Sequence, residues 1–114
     1  SDLYQICINT IGIMSFEDEL ALISNLDLML SMDSGNGHLA AMFNIPTITL
    51  WGITHPYAGF SPFNQATDNS LLSDRNKFPF IPTSIYGNKA PRGYENVMST
   101  ILPETVISRI TSLL

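Results

Sequence analysis

The residue types best suited to chemistry lie together between Asp33 and His38, in the sequence DSGNGH. An apolar run just before them predicts a buried strand, and residues 38–43 after them predict a short helix. The first N–H groups of such a helix have no partner inside it, and the helix dipole adds positive charge there. Gly35 and Gly37 lack Cβ atoms, so a ligand could approach the backbone closely. We therefore expect this turn to bind a phosphate or another anion.

The same residues have simpler interpretations, which the sequence leaves open. The two glycines fit a tight strand-to-helix crossing without a ligand, His38 could bond the backbone at the helix start, and the Asp33 side chain could cap the turn. A hydrolytic triad is disfavoured because Ser34 lacks the G-x-S-x-G elbow and one turn cannot align base, orienter and nucleophile. A metal site that adds His55 lacks a recognisable ligand spacing.

Strands and helices alternate around this turn. The predicted elements are a strand at 4–9, a helix capped by Ser15, a strand at 27–32, a helix at 38–43 and a strand at 47–52. This order predicts an α/β, Rossmann-like parallel sheet with crossover helices. The strand at 27–32 is apolar enough to be covered on both faces. Ligands of such sheets bind beyond the carboxyl ends of the strands, where Ser34 and Gly35 fall.

Local signals also predict burial and the ends of elements. Two apolar sets repeat at helical spacing and are expected to face the core: Phe16, Leu20 and Ile23, then Leu39, Met42 and Phe43. Asn44 can end the second helix in a left-handed conformation, and Pro46 prevents its continuation. Cys7 lies among isoleucines and is expected to be a buried, unreactive side chain. Trp51 is expected to pack in the core.

The second half of the chain has a different composition. Residues 53–93 are rich in proline and predict mostly loop, with a short strand at 70–73. A segment of this length without regular structure is usually functional or wraps a surface. Residues 95–101 predict a short helix. Pro103 suits the first position of a last helix, whose inward face is predicted to carry Val106, Ile110 and Leu113.

Composition limits the functional classes. The chain has 114 residues, 45% of them hydrophobic, which predicts one modest domain or part of a larger one. The net charge of −5 argues against nucleic acid and acidic membrane surfaces as partners. The single cysteine excludes an internal disulfide and suits a reducing compartment. No apolar run approaches the ~18 residues of a membrane span, so we expect a cytoplasmic protein.

Three linked motifs carry a resemblance to a known family. The run DSGxxHLAA from Asp33, followed by IPT from Ile45 and LWGxTxP from Leu50, resembles the family 9 glycosyltransferases, the heptosyltransferase family. The resemblance implies a GT-B arrangement, in which two Rossmann-like domains face each other across a cleft. It also implies transfer of a sugar, typically heptose from ADP-heptose, onto lipopolysaccharide core. Residues 1–114 would form the latter part of the C-terminal, donor-binding domain.

The resemblance implies roles for the residues of the turn. Ser34 and Gly35 would offer backbone N–H groups to the donor diphosphate, and Ser34 would add its hydroxyl. His38 would point back at the phosphates or the sugar. Asp33, at the strand end, would meet sugar hydroxyls or orient a cationic partner.

Other implied positions lie outside the turn. Met14 matches the position that packs on the nucleotide base, although methionine is also typical of core packing. Thr54 and His55 follow the neighbouring strand and could line the cleft. The family's first domain, with its presumed catalytic carboxylate, is absent, and so is the phosphate-binding lysine or arginine at the start of the second. We therefore expect no catalytic residue, cofactor or metal in this chain, and no activity in isolation.

Three functions follow as hypotheses. The first is donor binding in a hexosyl or heptosyl transferase of lipopolysaccharide or cell-surface glycan synthesis, with a nucleotide-diphosphate sugar and a glycan or lipid-linked acceptor as partners. Its full-length form is expected in the cytoplasm, with a peripheral inner-membrane position as a further expectation. The second is a non-catalytic α/β module that forms a homo-oligomer through an exposed sheet edge. The third is a nucleotide-sugar epimerase or hydrolase on a similar fold.

Overall fold

A computed structural model describes residues 6–53, 55–56, 61–79, 81–82, 93–94 and 96–114. The strands that position the site are β1 (Met29–Met32), β2 (Thr47–Trp51) and β3 (Ser70–Leu72). The helices are α1 (Phe16–Ser24), α2 (Gly35–Met42) and α3 (Pro103–Leu113), and short 3-10 turns occupy Thr67–Asn69 and Val97–Thr100. Within the described ranges, none of the helices has the length and apolar character needed to cross a bilayer.

The strands form a parallel sheet in the order β1-β2-β3. Thr49 of β2 pairs with both Ser31 and Ser70, so the carboxyl ends of the strands meet at one edge. When neighbouring parallel strands follow one another in sequence, right-handed crossovers place their helices on one face. Helix α2 makes such a crossover, and α1, which precedes β1, packs against α2 through Ile23 and Ala40. The predicted α/β, Rossmann-like parallel architecture is confirmed.

The main core lies between this sheet and its helices. Ile23, Ala40 and Ile45 are buried there, and the half-buried Leu26, Met29 and Leu39 pack against them. The residues of α2 that face the sheet are small: Gly37, Ala40 and Ala41. A Cβ on Gly37 would collide with the Ser31 Oγ of β1. The close approach of α2 to the sheet therefore depends on a glycine at this position.

Helix α2 differs from its prediction in start and in orientation. It begins at Gly35, so both glycines lie inside its first turn and not in a loop before it. Met42 is 75% exposed and Phe43 is also exposed, so the predicted apolar face is wrong at these two residues, whereas Leu39 packs against the core as predicted. The small residues of α2 face the sheet instead, because they allow the backbones of the helix and the strands to come close. Asn44 ends the helix with φ 62°, as predicted.

The predicted strand at 4–9 is wrong over its described part. Residues 6–9 form no strand, and both Ile6 and Ile8 are exposed; residues 4–5 lie outside the described ranges. Alternating isoleucines favour extended chain, but a strand also needs a hydrogen-bonded neighbour. The expectation that β1 is covered on both faces is wrong as well, because Leu30 and Met32 are exposed. They point away from the face on which α1 and α2 lie.

Two burial predictions in the first segment fail for a related reason. Cys7 is exposed, since its segment joins no sheet among the described residues. Phe16 is exposed because α1 meets the core through its last turns, where Ile23 is buried. The predicted cap is confirmed: the Ser15 hydroxyl accepts from the Asp18 N–H at 3.2 Å, and the Asp18 carboxylate accepts from the Ser15 N–H at 3.4 Å.

The last elements match their signals closely. Strand β3 occupies three of the four residues predicted, and Pro103 opens α3. The predicted inward face of α3 is half-buried at Val106, Ile110 and Leu113. The helix predicted at 95–101 is a shorter 3-10 turn. Trp51 is completely buried in β2, as expected.

Candidate functional site

The start of α2 lies at the carboxyl edge of the sheet, directly after β1. Ser34 is its N-cap, with extended backbone (φ −150°, ψ 166°), and its side chain makes no capping hydrogen bond. The first N–H groups of the helix therefore lack their usual side-chain acceptor. A Cβ built on Gly35 would meet no heavy atom within 4 Å. This open, amide-lined surface at the positive end of a helix has the properties of an anion site.

The side chains on either side of this surface interact electrostatically. Burial raises the pKa of Asp33 above its ordinary value of 3.8, and the charge of His38 opposes that rise. Both side chains are half-buried. The structure thus places Asp33 and His38 near enough for the charge of His38 to act on the carboxyl group of Asp33. A carboxylate next to an imidazole offers both acceptors and donors to a hydroxyl-rich ligand.

The two glycines of the turn have different roles. Gly35 is exposed and has open space before it, whereas Gly37 is buried against Ser31. The expectation that a ligand approaches the backbone at Gly37 is therefore wrong, because the strand occupies that space. Helix–strand packing explains Gly37 completely. The buried Ser31 Oγ has no hydrogen-bond partner in the described part of the chain.

The remaining predicted positions lie outside the turn. Met14 is half-buried in the segment before α1. That segment reaches the start of α2, because Thr10 and Asn36 line one cavity of about 180 Å³. Contact of Met14 with a nucleotide base stays a prediction. Thr54 lies outside the described residues.

The ends of β2 and β3 add a pair of residues whose contact the sequence did not predict. His55 is buried, with 3% of its surface exposed, and its Nε2 lies 3.3 Å from Nη1 of Arg75. A guanidinium can only donate, so Nε2 accepts and the imidazole is neutral. Burial lowers the pKa of His55, and the Arg75 charge lowers it further. A basic residue just beyond a predicted strand of the same sheet is the signal that could have identified Arg75.

A second cavity, of about 320 Å³, lies on the face of the sheet beneath residues 61–69. The surface of its wall is mostly apolar, and the uncharged polar side chains that line it include Thr47, Gln65 and Asn69. Gln65 and Asn69 use their amide groups in bonds to the protein itself. This cavity is therefore a feature of the connection between β2 and β3. In the ranges that the structure covers, no three His, Cys, Asp or Glu side chains converge as metal ligands would.

Comparison with known proteins shows what this arrangement is similar to. The profile of glycosyltransferase family 9 (heptosyltransferase) matches residues 1–89, which include the turn and the three strands described above. Lipooligosaccharide heptosyltransferase 2 of Haemophilus influenzae is 26% identical over 113 residues, which cover 99% of this chain and 31% of that protein. The chain therefore spans about a third of the length of this curated relative. No solved structure shows significant similarity to this chain.

Proposed function

The chain belongs to glycosyltransferase family 9, the heptosyltransferase family, and we propose that it binds the diphosphate of a nucleotide-sugar donor for glycosyl transfer. The observation that carries this proposal is the start of α2, with an uncapped Ser34 and open space at Gly35. The net charge of the chain is −5, so its overall field does not attract an anion. Local N–H groups and the dipole of α2 must supply the attraction.

Each residue of the turn has a place in this proposal. The N–H groups of Gly35 and its neighbour Asn36 bind diphosphate oxygens, and the Ser34 hydroxyl adds a further donor. Asp33 and His38 meet the hydroxyls of the sugar or the phosphates beside it. Met14 packs on the base and Thr54 lines the cleft, as the family resemblance implies.

The reaction determines what this site must stabilise. An acceptor hydroxyl oxygen forms a bond to the anomeric carbon, while the bond from that carbon to the diphosphate oxygen breaks. The hydroxyl proton passes to a general base, which we do not assign to this chain, and negative charge develops on the leaving diphosphate. Donors fixed at the start of α2 favour that charge. These N–H groups therefore assist departure of the diphosphate from the sugar donor and take no part in activation of the acceptor.

The relative suggests the substrates. Its name describes a heptosyltransferase acting on lipooligosaccharide. We extend this to ADP-heptose as donor and a lipopolysaccharide-type glycan as acceptor, with the full-length protein in the cytoplasm and peripheral at the inner membrane. A nucleotide-sugar epimerase or hydrolase would use the same turn, and product analysis with the full-length protein separates these reactions.

The test is titration calorimetry of the full-length protein with ADP, GDP, UDP and adenosine. Wild-type protein is expected to bind at least one diphosphate much more tightly than adenosine. Gly35→Val fills the open space before the amides and should weaken diphosphate binding by at least about tenfold, through loss of charge-assisted hydrogen bonds. Met42→Ala changes an exposed side chain of the same helix and should leave binding unchanged. Absence of diphosphate binding in the wild type, or equal affinity in Gly35→Val, would contradict the proposal.

Self-association is a second candidate, favoured by one observation. The outer edge of β1 pairs with no other strand among the residues described, and Leu30 and Met32 are exposed beside it. Such an edge favours pairing with a second copy. Light scattering that finds a monomer at micromolar concentration would exclude it.

A further inference from the structure

The carboxyl edge of the sheet brings the end of β3 close to the start of α2. Met32 pairs with Leu50, and Leu50 pairs with Leu71. Met32 and Leu71 therefore lie in one row across the sheet, on either side of β2, and β1 and β3 both end at this edge. Because neighbouring strands lie ~4.8 Å apart, their backbones are about 10 Å apart. A side chain just after Ser73 can therefore reach the same ligand as the start of α2.

The backbone on both sides of Arg75 is fixed by hydrogen bonds. The Ser73 hydroxyl donates to the carbonyl of the residue after β2 at 2.6 Å. The Asp74 N–H donates to Thr100 Oγ1 at 2.8 Å, and the Asp74 carboxylate accepts from the Lys77 N–H at 3.3 Å. Arg75 thus projects from a rigid turn. Rigid support lowers the entropic cost of binding a ligand.

The side chain of Arg75 is also held in place. Its Nη1 donates to Nε2 of the buried His55 at 3.3 Å. Arg75 is an exposed residue, and the contact with His55 is its one side-chain hydrogen bond among the described residues. Its other N–H groups are therefore available to an acceptor. A guanidinium binds phosphate through two parallel hydrogen bonds, and here one nitrogen is already oriented.

Basic side chains are scarce in this chain, so an exposed arginine at this edge is a notable source of positive charge. The chain has only five Lys and Arg residues against ten Asp and Glu. Arg109, on α3, is committed to Asn69 Oδ1 at 2.8 Å. Arg75, in contrast, is exposed to solvent just after β3, at the carboxyl edge of the sheet where α2 begins.

We propose that Arg75 is a second diphosphate-binding group, which neutralises charge on the leaving nucleoside diphosphate, and that His55 is the positioning residue that orients it. This inference rests on the proposed function and adds a side-chain cation to a site otherwise built from amides. The helix start and the guanidinium then lie on opposite sides of one diphosphate. The backbones of β1 and β3 are about 10 Å apart across β2, which leaves room for a ligand beyond the ends of these strands.

The first experiment compares Arg75→Gln with Lys77→Gln in the full-length protein. Titration calorimetry with ADP, inorganic pyrophosphate and adenosine separates phosphate recognition from base recognition. Arg75→Gln should weaken ADP and pyrophosphate binding by about tenfold or more, because a charge-assisted hydrogen bond is lost. Adenosine binding should stay unchanged. Lys77→Gln removes an exposed cation from the same turn and should have little effect, and Arg75→Lys should be intermediate because it keeps charge without the planar fork.

The outcomes distinguish this inference from the proposed function. If wild-type protein binds ADP and Arg75→Gln binds it as tightly as Lys77→Gln does, the role of Arg75 is overturned and donor binding stands. If wild-type protein binds none of ADP, GDP, UDP and inorganic pyrophosphate, donor binding fails and the role of Arg75 fails with it.

A double-mutant cycle tests the positioning role of His55. His55→Leu removes the acceptor and should weaken pyrophosphate binding in the wild type, while His55→Gln keeps an acceptor and should retain part of it. In an Arg75→Gln background His55→Leu should have no further effect on pyrophosphate affinity, because the two residues act as one unit. Additive losses in the two backgrounds would show that His55 supports only the fold.

Discussion

The two connections between the strands of the sheet are built in different ways. β1 connects to β2 through α2, whose small side chains lie buried against the strands. β2 connects to β3 through residues 52–69, which in their described part hold a 3-10 turn and no α-helix. Close apolar packing holds the first connection. Side-chain hydrogen bonds hold the second.

The hydrogen bonds of the second connection form a continuous chain. Gln65 Oε1 accepts from the Thr47 N–H at 2.8 Å, and Gln65 Nε2 donates to the Ile45 carbonyl at 3.2 Å. Asn69 donates to Gln65 Oε1 at 3.1 Å and accepts from Arg109 Nε at 2.8 Å. The chain runs from the start of β2 to α3. Where the connection is irregular, side chains must satisfy backbone groups that regular structure would otherwise pair.

Gly37→Val is expected to cause the largest loss of stability, because it acts on the packed connection. The new Cβ collides with the buried Ser31 Oγ, so α2 must move away from β1. We expect the free energy of unfolding to fall by about 3 kcal/mol, measured by urea denaturation. Gly35→Val is the matched control. Its Cβ enters open space, so stability should change by less than about 1 kcal/mol.

Removal of the colliding atom checks the cause of this loss. In a Ser31→Ala background the next nearest atom to a Cβ at position 37 is the Cβ of residue 31, at 3.5 Å. Gly37→Ala should therefore cost less in that background than in the wild type. Equal costs in both backgrounds, or equal losses from the two valine variants, would show that close packing at Gly37 does not hold this connection.

Gln65→Ala tests the hydrogen-bonded connection and should have the next largest effect. It leaves the Thr47 N–H without its acceptor, and Thr47 is 1% exposed. An unsatisfied buried donor costs about 1–3 kcal/mol, so we expect a loss of about 2 kcal/mol in the same denaturation assay. Asn76→Ala removes an exposed amide and should be nearly neutral. A neutral Gln65→Ala would mean that water replaces the side chain and that this connection does not depend on its polar chain.

The ends of the helices were largely predictable from the sequence because their signals are local. Ser15, Asn44 and Pro103 each act on the backbone within a few residues, and all three mark helix ends in the structure. The alternation of apolar runs also predicted the parallel sheet. The turn at Ser34 and Gly35 follows from the same pattern, since a helix after a parallel strand starts at the carboxyl edge.

Other features depend on which segments meet, and single-sequence patterns do not contain that information. The isoleucines at 6 and 8 favour a strand but pair with no strand among the described residues. Residue type alone could not separate Gly35 from Gly37, because only the position of Ser31 distinguishes them. The contact of His55 with Arg75 joins residues 20 apart in sequence across two strand ends. The two residues meet because β2 and β3 are neighbours in the sheet and end at the same edge.

Asp33→Asn should have the smallest effect on stability, with a sign opposite to the other changes. Burial raises the pKa of Asp33 in the folded protein above 3.8, its ordinary value. Between pH 3.8 and that raised pKa, the folded protein therefore holds a proton that the unfolded chain has lost. Stability therefore falls as pH rises through the raised pKa, and at neutral pH the ionised carboxylate destabilises the fold. Asparagine removes this penalty, so the variant should melt at a higher temperature near pH 7.

The pH profile identifies the cause of this effect. Below pH 3.8 Asp33 is protonated in both states, so the melting temperatures of Asp33→Asn and wild type should converge there. Asp27→Asn makes the same substitution at an exposed position just before β1 and serves as the control. If Asp33→Asn melts at a lower temperature near pH 7, His38 stabilises the carboxylate by more than burial destabilises it. A stabilised variant that binds the donor sugar more weakly would mean that the first connection retains a destabilising carboxylate for its ligand.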